Sequence, residues 1–247
     1  MTLPINPILP IIQNAGEPQG HKPHVRKLGI EDRFWHVPPL KRPSSVISEA
    51  NTAEQTFIFP GWQNALCFGN DNPVHVEYCS GNGAWIIDKA MASPHINYVA
   101  VEMENTRVYK IWRKTKRLKL SNLLVVNAEA FNLTRLYFPQ DSISEIFINF
   151  PDPWPKRRHA KYRLIQPAFV AELARILKQH GRMTFVTDDA PYAFQVIKEF
   201  RRHPAFASLH PDPFYVNDMH AYGTSYFDDL WRQKGKVIHY IQFEKIG

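Results

Sequence analysis

The residues best suited to chemistry stand together at Asn149-Phe150-Pro151-Asp152-Pro153-Trp154-Pro155-Lys156-Arg157-Arg158-His159. An apolar, strand-like run over residues 143–150 stops there at three prolines, through which neither a helix nor a central strand can continue. Each proline fixes its own φ and biases the residue before it toward extended backbone, so Asp152 and Trp154 are expected on a stiff, extended loop. A carboxylate, a large aromatic face and a basic run reaching Lys161 suit a nucleobase held by hydrogen bonds and stacking, with phosphates neutralised alongside. The same composition occurs in ordinary proline-rich turns that open a solvated basic helix. Position favours a ligand site, because the loop follows the carboxyl end of an expected parallel strand, where open α/β sheets place ligands.

A second cluster is Gly81-Asn82-Gly83, between an expected strand and an expected helix. Enzymes that bind dinucleotides and methyltransferases that use S-adenosylmethionine share such a loop. A dinucleotide fingerprint wants a third glycine where the helix packs on the strand, and Ile86 stands there instead. Glu77, four residues before Gly81, would repel a pyrophosphate but attract the ammonium or sulfonium of S-adenosylmethionine. Glu102 ends the next expected strand, where a carboxylate can accept from both ribose hydroxyls. Glu129 follows the third and can reach an adenine amino group. A lone carboxylate at a strand end is commonly a surface group; three in consecutive loops converge on one crevice.

The elements that must hold these residues follow from periodicity. Buried strands are expected over residues 74–79, 96–103, 123–128, 144–150 and 182–187. Helices are expected over 84–91, 106–118 (capped by Asn105), 133–138, 165–177 and 192–201, with Gly181 as a C-cap, and a last alternating strand over 236–244. Strands alternating with helices define an α/β, doubly wound, largely parallel sheet. Residues 1–60 carry many prolines, no sustained period and cations at Lys22, Arg26, Lys27, Arg33, Lys41 and Arg42. They are expected to form a partly disordered, basic arm ahead of a domain spanning residues 61–247.

Composition sets the outer bounds. A chain of 247 residues with 44% hydrophobic content can bury a full core. A net charge of +7, with Lys and Arg concentrated at 107–119 and 156–163, points to a polyanionic partner. Two cysteines give no disulfide framework, no apolar run approaches the ~20 residues of a membrane span, and the histidines and cysteines lack zinc-ligand spacing. The expectation is a cytoplasmic protein, monomer or homodimer, with no membrane and no metal.

Glu77-Tyr78-Cys79-Ser80-Gly81-Asn82-Gly83, the Glu102 strand end, Asn149 to His159 and Thr187-Asp188 together resemble the bacterial tRNA (guanine-N(7)-)-methyltransferase family. Pro-Asp-Pro-Trp-Pro-Lys followed by a histidine is the most specific of these motifs. The resemblance implies a Rossmann-like class I methyltransferase fold with an antiparallel last strand, S-adenosylmethionine as methyl donor, and a guanosine of the tRNA variable loop as acceptor. Carried over motif by motif, Glu77, Gly81, Gly83, Glu102, Glu129 and Asp152 would bind the cofactor, with Asp152 also catalytic. Lys156, Asp188 and Thr224 would contact substrate.

Two positions depart from the family pattern. The family has aspartate where Glu129 stands, and a Thr-x-x-Glu substrate motif that here reads Thr224-Ser225-Tyr226-Phe227. A carboxylate suits the N–H-rich edge of guanine, so Asp228 is the expected replacement, with stacking by Phe227 as its rival. Alternatives in other classes are an amino-group methyltransferase acting on adenine or glutamine, and a tRNA-binding module without turnover.

Overall fold

The computed structural model describes residues 33–37, 59–220 and 222–247. In chain order these form β1 (Phe34–His36), β2 (Val74–Tyr78), α1 (Ala84–Ala92), β3 (Asn97–Glu102), α2 (Asn105–Arg117), β4 (Leu123–Asn127), α3 (Ala130–Tyr137) and β5 (Ile143–Asn149). A 3₁₀ helix (Arg157–Tyr162) leads to α4 (Pro167–Ile176), β6 (Leu177–Thr187), α5 (Ala190–Arg202), β7 (Phe206–Ser208), α6 (Tyr226–Gln233) and β8 (His239–Lys245). The sheet order is β1-β4-β3-β2-β5-β6-β8-β7. The strands from β1 to β6 pair in parallel, and β8 runs antiparallel to both β6 and β7. The order reverses between β2 and β5, so the crevice at their carboxyl ends is the topological switch point.

The apolar runs read as continuous because both faces of the sheet are covered. Along β3 and β4 the side chains alternate, with Val99, Val101, Leu124 and Val126 packing with α3, α4 and α5 residues such as Leu133, Phe169 and Val196. Tyr98, Ala100, Leu123 and Val125 face the other way, onto α1 and α2 through Ile86, Val108 and Ile111. Gly83 lies where α1 meets α2. Its φ of 73° favours glycine, and a β-carbon there would stand 2.7 Å from Cγ1 of Ile111. The second loop glycine is thus demanded by helix packing as well as by the turn.

Four expectations are corrected. Residues 34–36, assigned to the arm, form β1, paired in register with Val125–Asn127 of β4. Trp35 is fully buried; at ~25 cal/mol per Å² over ~200 Å², that burial contributes at most about 5 kcal/mol, enough to hold a three-residue edge strand. The remaining arm positions, 1–32 and 38–58, lie outside the described residues.

The cap of α2 is Glu104 rather than Asn105: its carboxylate accepts from the backbone N–H groups of Thr106 and Arg107. Gly181 lies inside β6, where the pairing with β5 jumps from Ile143↔Leu177 to Glu145↔Arg182. A β-carbon on Gly181 would meet Lys178 O at 2.8 Å and Ser144 O at 3.0 Å, so this glycine serves a bulge instead of a helix end. Finally, Trp154 is not extended; its φ is 42°, and that of Phe150 is 48°.

Candidate active site

The cofactor side of the crevice is built from the loop after β2. Cys79, Gly81 and Gly83 all have left-handed φ, of 62°, 55° and 73°, and Gly83 N–H closes the turn onto Ser80 O at 2.8 Å. The turn leaves Glu77, the fourth residue of β2, pointing into the crevice with 2% of its surface exposed. Its Oε1 accepts from Asn149 Nδ2 at 2.8 Å, and Asn149 Oδ1 accepts from the Tyr222 hydroxyl at 2.6 Å. Its Oε2 is buried and meets no donor among the described residues. Burial pushes the carboxyl up to about 7, while the Asn149 bond and the nearby Ser80 hydroxyl oppose the rise. A buried carboxylate oxygen without a partner costs free energy until a cationic donor reaches it. The ammonium or sulfonium of S-adenosylmethionine fits that need.

Glu102 ends β3 and ties the glycine loop to the second strand. Gly81 N–H donates to its Oε2 at 2.8 Å, and Met103 and Glu104 N–H donate to Oε1, each at 2.9 Å. The carboxylate is therefore held in one orientation with one acceptor site, on Oε2, remaining for a hydroxyl. Asn127, at the end of β4, braces the same turn by donating to the backbone carbonyls of Glu102 and Met103. Glu129 caps α3: its two oxygens accept from Phe131 and Asn132 N–H at 2.9 and 2.8 Å. The longer side chain thus performs a capping role usual for aspartate or serine.

The proline loop leaves the end of β5 beside Asn149. Asp152 is exposed, and its Oδ1 accepts from Trp154 N–H at 3.0 Å, an Asx turn that explains why Trp154 is left-handed instead of extended. Trp154 packs against His159 and Tyr162, at centroid distances of 5.7 and 5.4 Å, so its ring braces the loop on the 3₁₀ helix. Beneath lies Arg163, a residue the sequence reading passed over within a basic run. It is 8% exposed; its Nε donates to Pro153 O at 2.7 Å, its Nη1 to Gln195 Oε1 at 2.7 Å, and its guanidinium lies 4.9 Å from the Tyr192 ring centre. Nη2 stands 4.0 Å from Asp189, the cap of α5. Arg163 faces inward while Lys156, Arg158 and Lys161 face water, a difference that no spacing in the sequence signals.

On the substrate side, Lys156 is exposed at the start of the 3₁₀ helix, Asp188 is half-buried at the end of β6 with Lys236 Nζ at 3.9 Å, and Thr224 is exposed ahead of α6. Burial raises the Asp188 carboxyl above its ordinary value. Asp228 does not join them. It is 2% exposed, Tyr240 Oη donates to its Oδ2 at 2.6 Å, and Arg232 Nε donates to Oδ1. Both oxygens face inward and are hydrogen-bonded, because the third residue of α6 turns toward β8. The residue that turns toward the crevice is Phe227: a β-carbon on Gly81 would lie 3.9 Å from its Cε2, and its ring centre is 6.3 Å from that of Phe150.

A parallel sheet with an antiparallel penultimate strand, a glycine turn at the switch point and acidic ends on three successive strand loops define a class I methyltransferase that draws on S-adenosylmethionine. The family described as "Putative methyltransferase" matches residues 71–241. A tRNA (guanine-N(7)-)-methyltransferase of Chlamydia muridarum is 43% identical over 217 residues, covering 86% of this chain and 94% of the relative. One from Chlamydia caviae is 41% identical over 192 residues, covering 77% and 84%. Among solved structures, the fold is similar to the antibiotic-resistance methyltransferase Kmr, with a TM-score of 0.51, 18% identity, and coverage of 79% of this chain and 96% of that one. TrmN from Thermus thermophilus gives a TM-score of 0.51 at 17% identity, covering 71% and 45%. The chain belongs to the tRNA (guanine-N(7)-)-methyltransferase family.

Proposed function

We propose that the protein transfers the methyl group of S-adenosylmethionine to N(7) of a guanosine in tRNA, acting in the cytoplasm. Family membership sets the acceptor class; the observation that carries the local chemistry is the buried, half-satisfied Glu77 carboxylate facing the glycine turn. When bound, S-adenosylmethionine supplies a methyl group already activated on sulfonium. N(7) of neutral guanine carries a free lone pair, so the protein has no proton to remove from it. Its work is alignment, for which effective molarities reach about 10⁵ M or more.

In this reading Glu77 holds the amino acid end of the cofactor, Glu102 a ribose hydroxyl and Glu129 the adenine side. Asp152 Oδ2 accepts from the N–H edge of guanine. Those N–H groups become stronger donors as the ring gains charge, so the contact stabilises the transition state more than the ground state. Lys156 meets a backbone phosphate, and Asp188 and Thr224 line the acceptor side. Among the described residues no helix is long and apolar enough to cross a membrane, and no group of three His, Cys, Asp or Glu is arranged to hold a metal.

The test is direct: incubate the protein with methyl-labelled S-adenosylmethionine and unmodified tRNA, digest to nucleosides and identify the product. The label should run as 7-methylguanosine. Label in an N-methyladenosine, or none in RNA, would defeat the reading.

A further inference from the structure

We infer that the outer face of α2 is the docking surface for a base-paired arm of the substrate tRNA, separate from the proline loop that holds the target nucleotide. The inference rests on the tRNA reading above. Residues 105–117 contain Arg107, Lys110, Arg113, Lys114, Lys116 and Arg117 and no acidic residue, so this one helix carries a formal +6 against +7 for the whole chain. α5, of equal length, carries Lys198, Glu199, Arg201 and Arg202, and α4 only Glu172 and Arg175. α2 and the run at residues 156–163 are thus the two basic clusters of the chain, and only the first is a long helix face.

The placement of the charges is ordered. At about 100° per residue, Val108, Ile111 and Thr115 face the sheet and are buried, while Lys110, Arg113 and Arg117 point away from it and are exposed. Neighbours at i,i+3 and i,i+4 on this face are like-charged, Lys110 with Arg113 and Lys114, and Arg113 with Lys116 and Arg117, which disfavours the isolated helix. Arg107, in the first turn, where the macrodipole is unfavourable to cations, is offset by Glu104 at 3.9 Å. A polyanion along the face relieves the like-charge repulsion. Half-exposed Tyr109 and Trp112 stack at 5.7 Å on one flank, with Arg113 5.8 Å from the Tyr109 ring centre, giving a flat surface beside the cations.

The face is joined to the reacting centre. α2 begins three residues past Glu102, and Lys114 Nζ reaches Asn82 O in the glycine turn at 3.4 Å. Ile111 packs beside Gly83 of the same turn, and the 13 residues of α2 span about 20 Å, roughly six base pairs of duplex. An arm lying along this length keeps the target loop in register with Asp152 without reading sequence, as phosphate contacts do.

The test compares the parent with Lys110→Gln/Arg113→Gln/Arg117→Gln and with a control, Lys198→Gln/Arg202→Gln, on α5. Equilibrium binding of transcribed tRNA is measured from about 50 to 300 mM salt, beside cofactor affinity, melting temperature and methylation kinetics. The α2 variant should bind tRNA more than tenfold weaker at 100 mM salt and flatten the log–log salt slope by about 2 to 3. Its cofactor affinity and kcat at saturating tRNA should stay within about twofold, and its melting temperature should hold or rise because like charges are removed. The α5 control should match the parent. An unchanged slope in the α2 variant, equal losses in both variants, or a loss of binding only to anionic lipid vesicles would overturn the inference. If the parent binds tRNA through α2 but transfers no methyl to guanine, the proposed activity fails and the docking surface stands.

Discussion

The side-chain amide of Asn149 donates to Oε1 of Glu77 at 2.8 Å, while the buried Oε2 of that carboxylate meets no donor among the described residues. The group is therefore held in place but left electrostatically unfinished. Its carboxyl rises from an ordinary 4.5 to about 7 in the folded protein. The folded state then keeps a proton that the unfolded chain has released, so across pH about 4.5 to 7 stability falls as pH rises, by roughly 3 kcal/mol in all. A cation bound against Oε2 favours the ionised form, so cofactor binding expels the proton. Affinity for S-adenosylmethionine should strengthen more than tenfold from pH 5.5 to 7, with proton release visible in calorimetry across buffers of differing ionisation enthalpy. Glu77→Gln should flatten that dependence and weaken binding while leaving the protein at least as stable at pH 8. A parent whose affinity does not change with pH removes Glu77 from the cofactor.

Asp152 separates two roles that one side chain combines. Oδ1 closes the Asx turn to Trp154 N–H at 3.0 Å, and the exposed Oδ2 is assigned to guanine. Asp152→Asn retains an oxygen for the turn but loses the charge, so tRNA affinity, dominated by phosphate contacts, should stay within a few-fold. Single-turnover methylation should fall by roughly 100-fold or more, the magnitude expected when a charged group facing the transition state is lost. A single-turnover rate near that of the parent would remove Asp152 from catalysis.

The carboxylates and the two loops were readable in the chain because their positions depend on strand ends, and strand ends follow from apolar runs bounded by Gly and Pro. Their directions were not. Asp228 looked available as a charged residue beside a substrate motif, yet the helical turn that follows Ser225 rotates it onto Tyr240 and Arg232. Trp154 obeyed a side-chain bond from Asp152 over the extended preference before proline. Phe34 and Trp35 lacked period because a three-residue edge strand is too short to show one. In each case a tertiary partner decided what local preference left open.

Arg163 is expected to position the proline loop without touching substrate. Its fork spans Pro153 O and Gln195, and with Tyr192 and Asp189 beside it the loop is fixed to α5. A lysine cannot reproduce that planar geometry. Arg163→Lys should lower kcat about tenfold and leave cofactor affinity and the KM for tRNA near the parent values, because Asp152, proposed to meet guanine, shifts while the binding surfaces remain. Arg163→Ala should in addition lower stability by about 2 to 3 kcal/mol, leaving buried acceptors unpaired. A fall in stability with kcat preserved in Arg163→Lys would make the residue purely structural.

Phe227 occupies the place where relatives with the Thr-x-x-Glu pattern are expected to offer a carboxylate, and it stands between the glycine turn and Phe150. Two chemistries compete for the contact. A carboxylate from Asp228 would match the guanine edge better, but freeing it requires breaking its bonds to Tyr240 and Arg232 and drawing a 2%-exposed group out of its packing. Bonds to charged groups are worth about 1.5 to 3 kcal/mol each, so that exchange costs at least what stacking on an aromatic face provides, about 1 to 3 kcal/mol per base. Phe227 is already in position at no such cost, and the balance goes to the ring. Phe227→Ala should raise the KM for tRNA or lower kcat/KM by about tenfold with little loss of stability, and Phe227→Trp should restore most of it. Asp228→Asn should chiefly lower the melting temperature, reflecting about 2 kcal/mol, with catalysis per folded molecule near that of the parent. Methylation lost in Asp228→Asn at temperatures where the variant is fully folded, with Phe227→Ala fully active, would return the role to the carboxylate.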